Sequence, residues 1–214
     1  MKTLIRPAFS LFICFTLLTG VAYPLALTGL AQLFFPSQAS GSVLLRDAKP
    51  VGSSLIGQDF ATGARAPSYF WSRPSATSPV PYTPFNAGSL TGSSGSNLAP
   101  TNPALLDNVK ARIDALTAAD KAAGYERPVF PTSAIPVDLV TSSASGLDPH
   151  ISVAAAEYQL PRVAKARHIT DAKLRELVQA HTRVRQLGIL GEPAINVLEL
   201  NLDLDSRFPI PATE

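Results

Sequence analysis

The sequence predicts a single N-terminal transmembrane helix followed by a mixed α/β (α+β) extracytoplasmic domain. Residues 8–35 form an uncharged apolar run of 28 residues, and a helix needs only about 20 such residues to cross a bilayer. The rest of the chain mixes helical and strand periodicities without a regular strand–helix alternation. Beyond residue 35, 16 Lys and Arg balance 16 Asp and Glu, so the composition does not indicate binding to nucleic acid.

We place the cytoplasmic N-terminus and membrane anchor at residues 1–36 and the periplasmic domain at residues 37–214. The alternative is a cleaved secretory signal, because Ser37-Gln38-Ala39 resembles a cleavage site. The apolar run is, however, about twice as long as the 7–15 residues of a signal. Lys2 and Arg6 are the only charges before the run, and short cationic flanks stay cytoplasmic. The sequence therefore predicts a single-pass protein of a bacterial cell inner membrane with its N-terminus inside.

The anchor carries small residues on one helical face, and such faces let a partner helix approach closely. They are spaced 3, 4 and 3 apart: Thr19, Ala22, Ala26 and Gly29. The alternative is that small residues are simply common in membrane helices. Pro24 is predicted to kink or end the helix. Cys14, the only cysteine, lies in the run, so the domain has neither an internal disulfide nor a cysteine-based metal site.

The first part of the domain is predicted to hold two short strands and then irregular chain. The strands lie around Val43–Leu45 and Val51–Ile56 and are joined by a turn at Lys49-Pro50. Residues 75–103 are rich in Ser, Gly, Pro and Asn. A loop this long is either disordered or an ordered binding loop.

The second part is predicted to alternate helices with two strands. A helix begins with the cap Asn102 and ends at Gly124, and residues 136–141 follow as a strand. A short helix from the cap Ser152 through Tyr158 is predicted next, and then a helix that is started or kinked at Pro161. An amphipathic helix runs from the cap Thr170 to Gly188 and includes Val184 and Leu187. The last predicted element is a strand over Ile195–Leu204 with alternating leucines.

Catalytic and metal sites have little support in the sequence. Ser143, Asp148 and His150 lie close together and offer a possible triad, which makes an exported, membrane-anchored Ser hydrolase one alternative class and an unrelated binding module another. No G-x-S-x-G nucleophile elbow occurs, however. Two metal-ligand types at 148 and 150 do not complete a metal site. His181 is predicted to be structural, and no Walker-type phosphate loop is present.

The chain resembles the KdpC family, the C subunit of the bacterial Kdp potassium-transporting P-type ATPase, over essentially its whole length. Many separate motifs in one order carry the resemblance: Arg6-Pro7-Ala8, Thr19–Leu25, Gly57–Phe60, Tyr69–Ser75, Ser94–Leu98, Pro100–Pro103, Asp138–Ser143, Gly146–Ser152, Tyr158-Gln159, Arg162–Ala164 and Gly191–Pro193.

The resemblance implies an accessory, non-catalytic subunit of a complex that imports potassium using ATP. The implied partners are a channel-like potassium-translocating subunit, an ATP-hydrolysing P-type subunit and a small single-helix subunit. The family offers two roles for the C subunit. It either stabilises the assembly from outside, over the outer mouth of the channel subunit, or acts as a catalytic chaperone that raises the ATP affinity of the hydrolysing subunit.

The chaperone role implies a nucleotide site on this chain and ATP as its ligand. The expected contacts are two residues of one helix and a Ser/Gly loop: Gln159, Arg162, Ser142, Ser143 and Gly146. If Lys2 and Arg6 are cytoplasmic, the domain lies outside, where cytoplasmic ATP does not reach it. The sequence therefore favours the assembly role.

Overall fold

The structure, a computed structural model, describes residues 2–77, 80–82, 85–86, 91–128 and 134–210. Its contacts divide the chain into two compact units, Met1–Ser53 and Ser54–Glu214. The first unit therefore contains a strand pair in addition to the apolar helix. The division after residue 36, which was drawn from the membrane anchor, stays a prediction.

The predicted apolar helix is confirmed. It consists of α1 (Lys2–Leu17), a π-helical segment (Leu18–Ala22) and α2 (Tyr23–Phe34), followed by the short α3 (Pro36–Ala39). Within the described residues, Leu4–Phe34 is the one helix long and apolar enough to span a membrane, and none of its most apolar window is buried. Its 31 residues extend about 46 Å at ~1.5 Å per residue, which exceeds a hydrocarbon core of ~30 Å.

Pro24 does not end this helix, contrary to one of the two predicted outcomes. The π-helical segment directly precedes it, and the Tyr23 N–H donates to the carbonyl of Leu18. Proline has no N–H and disturbs the preceding turn, and a wider turn accommodates it without breaking the helix. Because this wider turn lies between Thr19 and Ala22, it changes the angular spacing of the small residues. All four are exposed, and their packing against a partner helix stays a prediction.

The predicted pair of strands is confirmed, but its turn lies two residues earlier. Strands β1 (Val43–Arg46) and β2 (Lys49–Ser53) pair antiparallel. Asp47 and Ala48 form the turn with φ angles of 51° and 60°. Turns with two left-handed residues match the twist of antiparallel strands, and Lys49-Pro50 instead begins β2.

Among its described residues, the second unit packs four α-helices with a small antiparallel sheet. The helices are α4 (Pro103–Ala122), α5 (Val153–Arg167), α6 (Asp171–Ala180) and α7 (Val197–Arg207). A two-residue pair, β3 (Phe85–Asn86) and β4 (Thr91–Gly92), lies in the region predicted to be irregular, of which residues 78–79, 83–84 and 87–90 lie outside the described residues. The sheet has the order β5 (His150–Ser152), β7 (Ala194–Asn196), β6 (Thr182–Arg183).

Helix caps predicted from sequence are confirmed at three positions. The side chain of Asn102 accepts a hydrogen bond from the Ala104 N–H, that of Ser152 from the Ala155 N–H, and that of Thr170 from the Lys173 N–H. Gly124 follows α4 with φ +68°. Each cap satisfies an N–H that the first helical turn leaves unpaired.

The predicted strand over Ile195–Leu204 is wrong after its second residue. The Asn196 side chain accepts a hydrogen bond from the Glu199 N–H at 3.1 Å and starts α7. Val197, Leu200 and Leu204 are fully buried, and their spacing also fits one face of a helix. The apolar residues therefore fit both the strand period of 2 and the helical period of 3.6, and the Asn196 cap favours the helix.

Three other predicted elements differ from the structure. Residues 136–141 form a 3₁₀ turn at Val137–Leu139, where the Asp138 carboxylate accepts the Ser152 N–H at 2.7 Å. The two helices predicted on either side of Pro161 are one continuous α5, because buried Leu160 and Val163 stabilise it across the proline. The helix predicted to reach Gly188 ends at Ala180, and the chain turns into β6.

Candidate functional site

An extended aromatic segment, Ser68–Arg73, lies in the core and is held by side-chain amides. The Asn201 amide accepts the Phe70 N–H at 3.0 Å and donates to the Phe70 carbonyl at 2.9 Å. The Gln159 amide accepts the Trp71 N–H at 2.8 Å and donates to the Trp71 carbonyl at 3.1 Å. Each amide thus takes the place of a neighbouring strand, and the buried backbone is satisfied without a sheet.

Arginines bind the remaining carbonyls around this segment. Arg162 donates to the carbonyls of Ala66 (3.2 Å) and Pro67 (2.6 Å) and to Gln159 Oε1 (2.8 Å). Arg167 Nε donates to the Ser68 carbonyl at 2.8 Å, and Arg112 Nη2 to the Ser72 carbonyl at 3.0 Å. These bonds connect the start of the domain to α4 and α5.

The charge of Arg162 is compensated within the core. Its Nε lies 3.6 Å from Asp120 Oδ1, and its guanidinium lies 4.9 Å from the ring centroid of Trp71. Burial lowers the pKa of Arg162 to about 10, and Asp120 opposes the shift. Asp120 also pairs with Arg127 at 2.9 Å. Since a pKa near 10 lies well above neutral pH, Arg162 is a buried cation there.

Gln159 and Arg162, expected nucleotide contacts, are therefore together but fully buried. Sequence reasoning missed the structural network they form. A signal was present, because both residues lie among Ala155, Ala156 and Val163 on the apolar face of α5. Polar residues on an apolar helical face are buried, and buried polar groups require partners.

A second group of motif residues forms what we name the loop cluster: Gly57, Ser75–Thr77, Ser93–Gly95 and Ser142–His150. Backbone bonds join it, from the Gly57 N–H to the Leu147 carbonyl and from the Ser94 N–H to the Ser145 carbonyl, both at 2.8 Å. A Cβ on Gly146 would lie 2.5 Å from the Ser94 carbonyl oxygen. Glycine is therefore required for this close approach.

The residues Ser142, Ser143 and Gly146 lie in this cluster, and their polar atoms make internal contacts. The Ser142 carbonyl accepts a hydrogen bond from Arg73 Nη2 at 3.3 Å. Ser143 Oγ is buried and accepts the Gly146 N–H at 2.9 Å. The Gly146 carbonyl accepts a hydrogen bond from Ser75 Oγ at 2.7 Å.

Of the three residues of the possible triad, only Asp148 and His150 contact each other. His150 Nδ1 lies 3.6 Å from Asp148 Oδ1, and the His150 N–H donates to the same oxygen at 2.9 Å. Ser143 Oγ is instead engaged with Gly146, as described above. A nucleophile must lie within hydrogen-bond reach of its base, and the described contacts of Ser143 do not include His150. His181, predicted to be structural, lies 2.9 Å from Asp203 and links α6 to α7.

Asp148 gives the loop cluster a testable pH dependence. Burial raises the pKa of Asp148, but hydrogen bonds from His150 and the nearby charges of Arg73 and His150 lower this pKa by a larger amount, so the net shift is downward. A carboxyl whose pKa is depressed on folding stabilises the protein above its unfolded pKa, and this stabilisation is lost as the pH falls through the folded value.

We expect the free energy of unfolding to fall below about pH 5, and to fall less steeply in Asp148→Asn. Urea unfolding followed by Trp71 fluorescence measures this, and Asp114→Asn, on an exposed part of α4, is the control. Parallel wild-type and Asp148→Asn profiles would contradict it.

A cleft of about 270 Å³ lies beside the cluster and is lined by Asp59, Arg73, Tyr82 and Arg112, among others. Burial raises the pKa of Tyr82 to about 12, so its hydroxyl remains a donor to the Arg73 carbonyl. In the part of the chain that the structure describes, no three His, Cys, Asp or Glu side chains are grouped to hold a metal ion. The site thus consists of interlocked loops on a buried polar network.

Comparisons with known proteins agree with the motifs that meet here. The family model described as "K+-transporting ATPase, c chain" matches residues 5–206. Similar proteins, each named potassium-transporting ATPase KdpC subunit, come from Polaromonas naphthalenivorans (57% identical over 212 residues, 99% of both chains), Dechloromonas aromatica (57% over 206 residues, 96% of this chain and 98% of the relative) and Methylibium petroleiphilum (56% over 209 residues, 98% and 100%). The chain therefore belongs to the KdpC family, the accessory and non-catalytic c chain of K+-transporting ATPases.

Proposed function

We propose that this chain is the C subunit of an ATP-driven potassium import complex and that it stabilises the assembly from outside the cell membrane. Its partners would be a channel-like potassium-translocating subunit, an ATP-hydrolysing P-type subunit and a small single-helix subunit. The observation that carries the proposal is the family match over residues 5–206, which includes both the apolar helix and the domain.

Internal rigidity supports an assembly role over turnover. The loop cluster and the aromatic segment are tied by hydrogen bonds between distant parts of the chain, such as Phe70 to Asn201 and Gly57 to Leu147. A surface that is already ordered loses little conformational entropy when a partner binds it. Co-expression with the other subunits tests the proposal. We expect the tagged chain to purify with them in fixed ratio, and its purification alone would contradict the proposal.

The external placement of the domain rests on the charges that flank the helix. Arg6 precedes the apolar span, and short cationic flanks stay on the cytoplasmic side. Single cysteines at the exposed positions Ala144 and Ser206, in a Cys14→Ser background, are expected to react with a membrane-impermeant maleimide on intact cells. Thr3→Cys is the control, expected to react only after permeabilisation. Labelling of Thr3→Cys alone on intact cells would reverse the proposed orientation.

ATP binding at Gln159, Arg162, Ser142, Ser143 and Gly146, as the chaperone role requires, is the alternative to this proposal. The side chains of Gln159 and Arg162 are engaged in hydrogen bonds to Trp71 and Pro67, respectively, so ATP would have to replace contacts inside the core. We therefore expect titration of the full-length chain in nanodiscs to give no saturable ATP binding up to about millimolar concentration. A dissociation constant of about 1 mM corresponds to a binding free energy of about −4 kcal/mol.

A variant separates a nucleotide contact from a structural one. Gln159→Ala is expected to lower the melting temperature of the chain whether or not ATP is present. Arg175→Ala, at an exposed ion pair with Glu157, is the control and should change neither the melting temperature nor the result of the ATP titration. Saturable ATP binding in the wild type that Gln159→Ala abolishes without a loss of stability would restore the chaperone role.

A further inference from the structure

The segment Thr182–Ala194, which we name the Leu187 hairpin, exposes an unusual number of apolar side chains. Strands β6 and β7 form its base, and Gln186 pairs with Leu190 nearer its tip. The exposed fractions are 79% for Val184, 88% for Leu187, 75% for Ile189 and 55% for Leu190. Large exposed apolar side chains concentrated on one hairpin of a folded domain indicate an interaction surface.

The conformation of the tip is fixed although its side chains are exposed. The Gln186 N–H donates to the Leu190 carbonyl and the Leu190 N–H to the Gln186 carbonyl, both at 2.9 Å. Three residues, 187–189, connect this pair, and the first two, Leu187 and Gly188, have φ angles of 54° and 77°. Left-handed backbone is uncommon for residues other than glycine, asparagine and aspartate, so a leucine at position 187 is a poor choice for the fold alone. Backbone strain of this kind at an exposed position indicates a function for the side chain.

The charges beside the tip are already neutralised. Arg185 Nη2 lies 2.7 Å from both carboxylate oxygens of Glu192, and Arg183 Nη2 lies 3.0 Å from Glu199 Oε2. The hairpin contains no Trp, Tyr or Phe. Membrane-surface segments use aromatic residues and unpaired cations to bind the interface and its anionic lipids. An aliphatic tip with a neutral polar rim instead resembles a protein interface, with an apolar centre and a polar edge.

We propose that the Leu187 hairpin inserts its tip into an uncharged apolar groove on another protein subunit of the potassium-transporting ATPase. The proposal rests on the proposed function, because the relatives are named as subunits of that ATPase. Leu187 and Ile189 are the central contacts, and the ion pairs of Arg183 and Arg185 lie on the part of the chain that leads to the tip. Contact of the hairpin with lipid or with a second copy of this chain would be a different outcome of the test.

The decisive variant is Leu187→Asn, combined with Ile189→Asn. Asparagine adopts left-handed backbone readily, so Leu187→Asn should preserve or raise the melting temperature of the chain. The double variant should reduce the amount of partner subunits that co-purify by about tenfold or more, because buried aliphatic anchors dominate interface affinity. A residue with only a structural role would not lower binding while the chain became more stable.

The control variant is Leu106→Gln, which removes an exposed leucine from α4 and should leave co-purification unchanged. A photo-crosslinking residue at position 189 then identifies the neighbour. Crosslinking to a larger subunit supports the proposal, whereas crosslinking to lipid, to a second copy or to nothing overturns it. If the wild type co-purifies with the complex and the double variant does so equally well, the hairpin proposal fails while the proposed function stands.

Discussion

Arg162→Ala is expected to destabilise the second unit strongly. The substitution removes one hydrogen-bond donor from each of three acceptors, the carbonyls of Ala66 and Pro67 and the Gln159 amide oxygen, and it weakens the pairing of Asp120. Removing one partner of a buried ion pair costs about 3–5 kcal/mol, which is a large share of the 5–15 kcal/mol that typically stabilises a domain. The measurement is urea unfolding of the full-length chain in detergent. Trp71, the only tryptophan, lies against Arg162 and reports the change by its fluorescence.

Two controls separate the charge of Arg162 from its geometry. Arg162→Lys keeps the cation but cannot reproduce the planar fork that reaches several acceptors, so we expect it to be destabilised nearly as much. Arg175→Ala removes an exposed ion pair with Glu157, and solvent screens such a pair, so we expect no measurable change in the urea midpoint. If Arg162→Ala unfolded at the same urea concentration as Arg175→Ala, the network would not stabilise the domain.

Gly146→Ala is the second substitution with a large expected effect, because it combines backbone strain with a clash. Gly146 has φ +67°, and a Cβ there would lie 2.5 Å from the Ser94 carbonyl oxygen and 2.7 Å from Thr77 Cγ2. A left-handed alanine costs about 1–2 kcal/mol, and overpacking adds about 1–3 kcal/mol. We expect a loss of about 3 kcal/mol in the free energy of unfolding, measured by thermal or urea unfolding.

Gly63 offers a matched control for this strain. It has φ +83°, but a Cβ there would meet nothing within 4 Å. Gly63→Ala therefore carries the backbone cost without the clash, and the difference between the two variants measures how tightly the loops pack. Equal destabilisation would mean that the loop cluster relaxes to admit a methyl group.

The elements predicted correctly from sequence are those with local causes. The apolar run, the caps at Asn102, Ser152 and Thr170, and the first strand pair all depend on a few neighbouring residues. The errors arise where distant contacts decide. Asp138 binds the Ser152 N–H and favours a turn over a strand, and the leucines after Ile195 fit two periods.

Prediction of the site was limited for the same reason. The motif residues Gln159 and Arg162 were recognisable from the resemblance, but their partners lie about 90 residues away at Trp71, Ala66 and Pro67. The apolar face of α5 indicates that the two side chains are buried, but no local pattern identifies their partners, since the carbonyls that bind them belong to an irregular segment. The first half of the Leu187 hairpin, up to Gly188, was predicted as the end of an amphipathic helix, because Val184 and Leu187 also fit helical spacing.

The amide of Asn201 has a consequence for how the protein is made. Phe70 is secured by a residue 131 positions later, and a ribosome that adds about 5–20 residues per second needs on the order of ten seconds to cover that distance. Until α7 is synthesised, the aromatic side chains near Phe70 are not buried as they are in the folded protein, so the nascent chain exposes an aggregation-prone apolar segment. We expect biogenesis to depend on a holding factor during this interval, and truncation before Asn201 to yield a product that is degraded rather than folded.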